Sequence, residues 1–512
     1  MSEVAENQPL TKFKKESICL IIPPSAFLLD ERVFMSLGIL RLASVLERAG
    51  HHVEVMDLSG VTNYLDVTTH YANTCPTKIF GLTATTPQLP SAVKISQAIS
   101  RVNPFAKTIL GGPHISLVAA AYKREQSKNI THGRAHISFE ALKKDFSVLV
   151  AGDGEGAIFT AMDKNAPYYI DADDPKSNLF LTNKKLDQLP FPARHLVDVN
   201  SYEYYIDNVR ALSIIAQLGC PYECGFCGGR YSPFLRRIRM RTSANIIEEL
   251  REMHTSFNIN GFMFYDDELN VNPKMVELMY GISNLQENLG VDFKLRGFIK
   301  SQLFTDEQAK AMYQAGFRWI LVGFESGSPR ILKNINKKAT REENTRCMDI
   351  ARRHGLKVKA LMSLGHPGES ESTARDTENW LLEVKPDDFD ITLITTYAGT
   401  PYYDDAVADP SKENLWIYTY NNDRLYSYEV NYSETPKYYK GDPDGGYKSY
   451  VYTDYLSPEE LVILRDEIER NVRSKLNIPF PKARKGLRFE HSMGQGENIP
   501  SSILRTVTRQ SL

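Results

Sequence analysis

Cys220-Pro221-Tyr222-Glu223-Cys224-Gly225-Phe226-Cys227 places three of the chain's six cysteines within eight residues. A C-x3-C-x2-C triplet supplies three thiolates and no fourth. Three thiolates can hold three irons of a [4Fe–4S] cluster and leave one iron open to a ligand that is not protein. An open position marks a catalytic metal site, whereas a structural site is closed. Zinc would need a fourth ligand. The nearest histidines, His195 and His254, lie outside the loop and show no ligand spacing. The remaining cysteines, Cys19, Cys75 and Cys347, read as buried, inert thiols.

Working outward, Ser213–Gln217 reads as a strand that runs straight into the cysteine loop. An α/β repetition follows it. Strands are expected at 261–265, 293–296, 319–324, 359–364 and 390–395, with helices at 244–257, 305–315, 341–354 and 371–384. About six βα units suggest a partial or full parallel barrel over 208–405. Barrel chemistry gathers at the carboxyl ends of the strands. The cysteine loop, the acidic run Asp266-Asp267-Glu268 and Glu325 all fall at such ends, which points to one shared site.

Upstream, residues 17–160 form a separate β–α repetition. Strands are expected at 18–22, 53–56, 79–83, 108–110 and 147–151, with helices at 37–49 and 90–102. Gly50 stops the first helix. This pattern predicts an α/β, doubly wound parallel sheet whose ligand sits beyond the carboxyl ends of its strands. The loops concerned are 23–30, 83–88, 111–114 and 152–156. Residues 161–207 read as a connector and 1–16 as a flexible start. Residues 406–480 read as a small, mostly helical or irregular domain. Its tyrosine-rich stretch 418–455 is a candidate lid or substrate wall, or an ordinary amphipathic surface, and its last helix is capped by Ser457 with Pro458 at the first position. A mobile tail is expected over 481–512.

Composition bounds the function. A chain of 512 residues implies two to four domains, and 42% hydrophobic residues suffice for their cores. A net charge of −2 gives no electrostatic case for nucleic acid. There is no signal-peptide pattern and no apolar run approaching the ~20 residues of a membrane helix. The expectation is a cytoplasmic protein, in a compartment that keeps thiols reduced.

The three cysteines after a strand, with an aromatic residue before the last, resemble the radical S-adenosylmethionine (SAM) superfamily. Together with the upstream α/β unit, the chain is similar to the B12-binding radical SAM enzymes, a group rich in methyltransferases. Further motifs agree in order: Gly111-Gly-Pro-His114, Gly154-Glu-Gly156, Leu189-Pro-Phe-Pro192, Tyr265-Asp-Asp267, Gly323-Phe-Glu-Ser-Gly327, Gly365-His-Pro-Gly368 and Ala398-Gly-Thr-Pro401. The resemblance implies three cofactors: a [4Fe–4S] cluster on Cys220, Cys224 and Cys227, SAM chelated to the open iron, and cobalamin as methyl carrier. It implies a deoxyadenosyl radical that abstracts hydrogen from an unactivated carbon, and methylation of an unactivated carbon or phosphorus centre of a small-molecule metabolite. An external electron donor resembling flavodoxin or ferredoxin is implied as well.

On the SAM side the resemblance assigns Phe226, Asp266, Asp267, Glu268, Arg296, Glu325 and Ser326. For these the alternatives stay open: a solvated acidic strand end, a structural salt bridge at Arg296, and turn chemistry at Glu325 and Ser326. His366 reads as part of a plain turn. On the cobalamin side it assigns Thr83, Thr86, Gln88, Gly111, Gly112, His114, Gly154 and Glu155. No D-x-H-x-x-G cobalt-ligand motif is present; Asp30 and Gly38 frame a segment without histidine. A cofactor-free, vestigial fold is the alternative there. Rival functions are cyclisation, ring contraction or oxidation without methyl transfer, methylthio transfer, and a non-catalytic cluster or corrinoid carrier. Only Cys19 and Cys75 lie upstream of the loop, too few for the second cluster of a methylthiotransferase.

Overall fold

The computed structural model describes residues 15–25, 31–61, 63–434 and 448–480. The expected flexible start up to residue 14, the mobile tail, Asp30 and residues 435–447 of the tyrosine-rich stretch lie outside the described residues.

The N-terminal unit is a six-stranded, all-parallel sheet. Its strand order is His52–Asp57, Ser17–Ile22, Ile79–Thr83, Lys107–Gly111, Val148–Gly152 and Tyr169–Ala172. The period of two in Ser17–Ile22 separates its side chains into two cores: Cys19 and Ile21 on one face, Ile18, Leu20 and Ile22 on the other. Both faces are apolar because helices cover both. The sheet extends one strand beyond Val148–Gly152, into the stretch read as a connector. Helices Tyr64–Thr74, Pro113–Ser127 and Arg134–Asp145 also form where no helix was anticipated. Strand order reverses beside Ser17–Ile22, and in such sheets the ligand crevice opens at the reversal.

The central unit is a curled sheet of six parallel strands in sequence order: Val209–Ile214, Gly261–Phe264, Lys294–Ile299, Phe317–Glu325, Lys357–Leu364 and Asp388–Leu393. One antiparallel strand, Tyr204–Ile206, pairs on its edge. Helices such as Ser243–Phe257, Asp306–Gln314 and Arg341–Arg353 pack outside, and the largest apolar core lies between them and the sheet. Thr305 and Thr340 each close a capping box at a helix start, worth about 1 kcal/mol apiece.

The C-terminal unit differs from expectation. A four-stranded antiparallel sheet, Val407–Ala408, Leu415–Tyr420, Asp423–Tyr428 and Val451–Thr453, occupies the stretch read as irregular. The physical reason is legible afterwards. Leu415-Trp-Ile-Tyr-Thr-Tyr420 is rich in strand formers, and the two-residue loop Asn421–Asn422 turns the hairpin, with Asn421 at φ 55°. Helix Pro458–Leu476 follows, with the Ser457 side chain accepting from the Glu460 N–H. The units are tied by buried cations. The Arg134 guanidinium lies 3.6 Å from the Tyr403 ring centroid and 4.2 Å from that of Trp416. Arg239 pairs with Asp153, their side chains 4% and 1% exposed. Among the described residues no helix is long and apolar enough to cross a membrane.

Candidate active site

Strand pairing aims the cysteine loop. Gln217–Leu218 pairs antiparallel with Arg239–Met240 and then turns at Gly219, whose φ is 83°. A side chain at Gly219 would run into the Arg237 carbonyl. Backbone bonds then fasten the loop: Cys220 N–H to Leu235 (3.0 Å), Gly225 N–H to Ile335 (2.8 Å) and Gly229 N–H to Gly399 (2.8 Å). Burial pushes the Cys220 thiol up to about 11. The thiol of Cys227, the exposed one of the three, is also pushed up, by desolvation and by the charge of Cys224 and Asp267. Thiols in this state need the positive charge of iron to ionise. Among the described residues no three His, Cys, Asp or Glu side chains close around a single-ion position. The donor set, three thiols beside a histidine, His366, whose two nitrogens are taken by Ser363 and Tyr402, suits the three separate irons of a cluster.

Two buried lysines that sequence reasoning missed stand beside these thiols. Lys300 ends the strand Lys294–Ile299; its Nζ donates to the Lys337 carbonyl at 3.1 Å and lies 4.0 Å from the Tyr222 ring centroid. Burial lowers its pKa, opposed by the nearby Cys224 and Glu268 charges. Lys337 is also buried, yet its pKa is raised, because Glu325, Cys224 and Glu268 outweigh desolvation. Cations here offset the charge of three thiolates and the acidic run. Period-two alternation along Lys294–Lys300 was the signal that places Lys300 inward.

The acidic run divides its labour. Asp266 accepts from the backbone N–H groups of Ala216 (3.0 Å) and Gln217 (2.6 Å) with one oxygen. Its other oxygen, Oδ2, is buried without a hydrogen-bond partner, as is Gln217 Oε1. Burial pushes the Asp266 carboxyl up to about 7 despite those bonds, and Glu268 likewise up to about 7, opposed by Lys337 and Lys300. The Glu268 carbonyl accepts from Gln217 Nε2 at 2.7 Å. Asp267 is raised by burial and eased by Arg236. Unpartnered acceptors at this point suit a ligand with N–H donors.

Glu325 closes the opposite side. It has φ 67°, a backbone state that costs a non-glycine residue about 1–3 kcal/mol and clusters at functional sites. Its Oε1 meets Lys337 Nζ at 3.2 Å and its Oε2 accepts from Ser363 Oγ at 2.8 Å. Ser363 in turn meets His366 Nε2 (2.8 Å), and His366 Nδ1 meets the Tyr402 hydroxyl (3.1 Å). The Phe226 ring packs against that of His366, centroids 5.4 Å apart and tilted by 59°. His366 is thus part of the site's wall as well as of a turn.

Two assigned residues stand elsewhere. Ser326 is fully buried and bonds Thr377 Oγ1 (3.1 Å) and the Ser328 N–H (3.1 Å), so its hydroxyl shapes the turn. Arg296 lies two inward positions before Lys300, over Trp319 at 5.4 Å and beside Tyr204. It sits below the strand ends, among structural side chains.

In the N-terminal unit a cavity of about 400 Å³ opens at the strand-order reversal. Of the eight assigned residues, Thr83, Gln88, Gly111, Gly112, Gly154 and Glu155 line it. His114 and Thr86 bond each other at 3.1 Å, and burial pushes His114 down to about 4. Both act on the shape of the loop. A side chain at Gly38 or Gly111 would meet no atom within 4 Å, so these glycines leave a cradle open. Gly112 is at φ 95°, which favours glycine. The cavity's far wall comes from the central unit: Ile215, Leu218, Phe234 and Tyr265. Leu218 is two residues from Cys220. A mostly apolar, glycine-cradled cavity of this size fits a nucleotide-sized arm of a corrinoid.

Comparisons with known proteins agree with this geometry. Residues 214–381 match the family described as the Radical SAM superfamily. An uncharacterized methyltransferase of Pyrococcus horikoshii is 26% identical over 77% of this chain and 84% of its own length. An anaerobic magnesium-protoporphyrin IX monomethyl ester cyclase of Rubrivivax gelatinosus is 22% identical over 66% of this chain and 60% of its own. Among solved structures, the radical SAM methyltransferase TsrM of Kitasatospora setae, with cobalamin and a [4Fe–4S] cluster bound, superposes with a TM-score of 0.65. It is 17% identical, and the match covers 89% of this chain and 91% of that one. The cysteine loop, the curled sheet behind it and the match over residues 214–381 give this chain a radical SAM domain, and over most of its length the chain is similar to a protein named as a methyltransferase.

Proposed function

We propose that the chain is a cobalamin-dependent radical SAM enzyme that methylates an unactivated carbon or phosphorus centre of a small molecule. The observation that carries this reading is the cavity at the sheet's switch point, walled on one side by the N-terminal glycine loops and on the other by Ile215, Leu218 and Tyr265 beside the cysteine loop. A corrinoid arm in that cavity and a cluster on Cys220, Cys224 and Cys227 stand on either side of the same strand end.

When bound, the cluster supplies a low-potential electron, SAM a radical precursor and methyl source, and cobalamin a methyl carrier. The chain's own residues bind and orient. Asp266 Oδ2, Gln217 Oε1 and the acidic run offer acceptors to the ammonium of SAM. Lys300 and Lys337 offset negative charge, and Glu325 faces the ligand from the opposite strand end. Gly111 and Gly112 admit a close backbone approach. Apolar walls at Ile215, Leu218 and Phe234 exclude water. An external one-electron donor protein and a reducing, cytoplasmic setting complete the reading.

The relative named as a cyclase favours one alternative, ring formation without methyl transfer. Product mass separates the two. With the anaerobically reconstituted enzyme and candidate metabolites, methylation predicts a gain of one methyl group, with S-adenosylhomocysteine beside 5′-deoxyadenosine. Turnover yielding 5′-deoxyadenosine and an unmethylated product refutes it and supports cyclisation. A carrier without catalysis yields neither nucleoside under dithionite.

A further inference from the structure

We propose that Tyr402, His366 and Ser363 form a buried positioning relay that fixes Glu325 against the SAM site and couples it to the cysteine loop. The inference rests on the SAM reading above and extends it to residues outside the cluster loop and its acidic partner.

The direction of the relay follows from its chemistry. Ser363 Oγ donates to Glu325 Oε2 at 2.8 Å, so its single hydrogen is committed. Its oxygen can then only accept from His366 Nε2, 2.8 Å away. A neutral imidazole protonated at Nε2 has a bare Nδ1, which accepts the Tyr402 hydroxyl at 3.1 Å. Every member is buried: His366 is 0%, Tyr402 1% and Ser363 5% exposed. Lys337 holds the second Glu325 oxygen at 3.2 Å. A carboxylate gripped from both sides, on a residue at φ 67°, has one orientation. Bonds of this kind in a dry interior polarise one another and act as a unit.

The relay reaches the cluster loop through the same tyrosine. A side chain at Gly225, between Cys224 and Phe226, would meet the Tyr402 ring at 2.9 Å. Phe226 packs against His366 with its ring tilted by 59°, and Tyr418 of the C-terminal hairpin packs against Tyr402 with ring centroids 4.9 Å apart. At the other end Gly323 leaves room for the ion pair, since a side chain there would meet Glu325 Oε1 at 2.7 Å. Tyr402 therefore supports the loop with its ring and orients Glu325 with its hydroxyl. The two roles are separable by substitution.

Tyr402→Phe keeps the ring and removes the hydroxyl; Ser363→Ala breaks the relay at its middle. With anaerobically reconstituted full-length protein, iron content and the SAM dissociation constant are measured for the wild type, both single variants and the double variant. Each single substitution should weaken SAM binding about three- to tenfold at unchanged iron content, the size of one lost buried hydrogen bond. The double variant should be no weaker than the weaker single, because one chain is broken once or twice. Effects that multiply, a loss of iron in proportion to the loss of affinity, or unchanged affinity overturn the relay. A wild type that holds its cluster yet binds no SAM overturns the SAM reading itself, and the relay with it.

Discussion

Removing the guanidinium of Arg239 should destabilise the protein by about 2–3 kcal/mol, less than the full cost of stranding a buried charge, because burial pushes the Asp153 carboxyl up to about 7 even beside Arg239 and lets it protonate. Arg239 and Asp153 contact directly, with side chains 4% and 1% exposed. Asp153 belongs to the N-terminal cavity wall, and Arg239 sits in the strand pair that feeds the cysteine loop. Arg239 also lies against Phe180 (4.6 Å) and Phe234 (5.1 Å). Arg239→Met keeps much of that packing and removes the charge. Asp153 is then left with the Leu181 N–H at 2.8 Å as its remaining bond. The double variant Arg239→Met/Asp153→Asn strands no charge and should regain at least ~1 kcal/mol over Arg239→Met alone. Urea denaturation measures both, with corrinoid retention as a second readout, since the pair fixes one wall of the cavity against the other. A loss below ~1 kcal/mol in Arg239→Met, or a double variant no more stable than the single, refutes the reasoning.

Three further outcomes are expected. Cys224→Ala should abolish the brown colour and reductive SAM cleavage of the reconstituted protein; turnover by that variant removes Cys224 from the ligand set. Gly219→Ala forces a side chain into the left-handed region, at a cost of about 1–2 kcal/mol, and against the Arg237 carbonyl. Iron per chain after reconstitution should fall at least by half, and full iron content refutes this. The third concerns pH. Burial pushes His114 down to about 4, against about 6.5 when unfolded. Its neutral form therefore contributes stability above pH 6.5 that is lost as pH falls toward 4, about 2 kcal/mol by pH 5. Five carboxyls raised by burial to about 7, on Asp153, Asp266, Glu268, Glu369 and Asp404, slope the opposite way. The effect is read as a difference: His114→Gln should lose less stability than the wild type between pH 7 and 5. Equal losses contradict it.

Much of this architecture was legible from spacing. The continuous apolar run at residues 18–22 and the βα repetition after residue 211 pointed to both sheets, because both faces of a parallel strand are apolar and glycines punctuate the turns. The tyrosine-rich hairpin was hidden, since aromatic residues fill both faces of a small sheet and blur its alternation. Tyr169–Ala172 is too short to show a period. Within the site, the cysteines announced themselves by chemistry. Lys300 and Lys337 did not, because a lysine in sequence reads as surface until the fold buries it beside thiols and carboxylates. Arg296 shows the converse: its charge suggested a ligand, but its place in the strand Lys294–Ile299 sets it four residues before Lys300, over Trp319. His366 looked like turn chemistry, and only the fold brings Tyr402 and Ser363 to its two nitrogens.

The most direct test of the two-cofactor site is the set of products formed from SAM by the full chain, reconstituted anaerobically with iron, sulfide and cobalamin and then reduced. The account predicts retained corrinoid and 5′-deoxyadenosine from the same preparation, lost together with the cluster in Cys224→Ala. A preparation that holds both cofactors and releases no 5′-deoxyadenosine contradicts it.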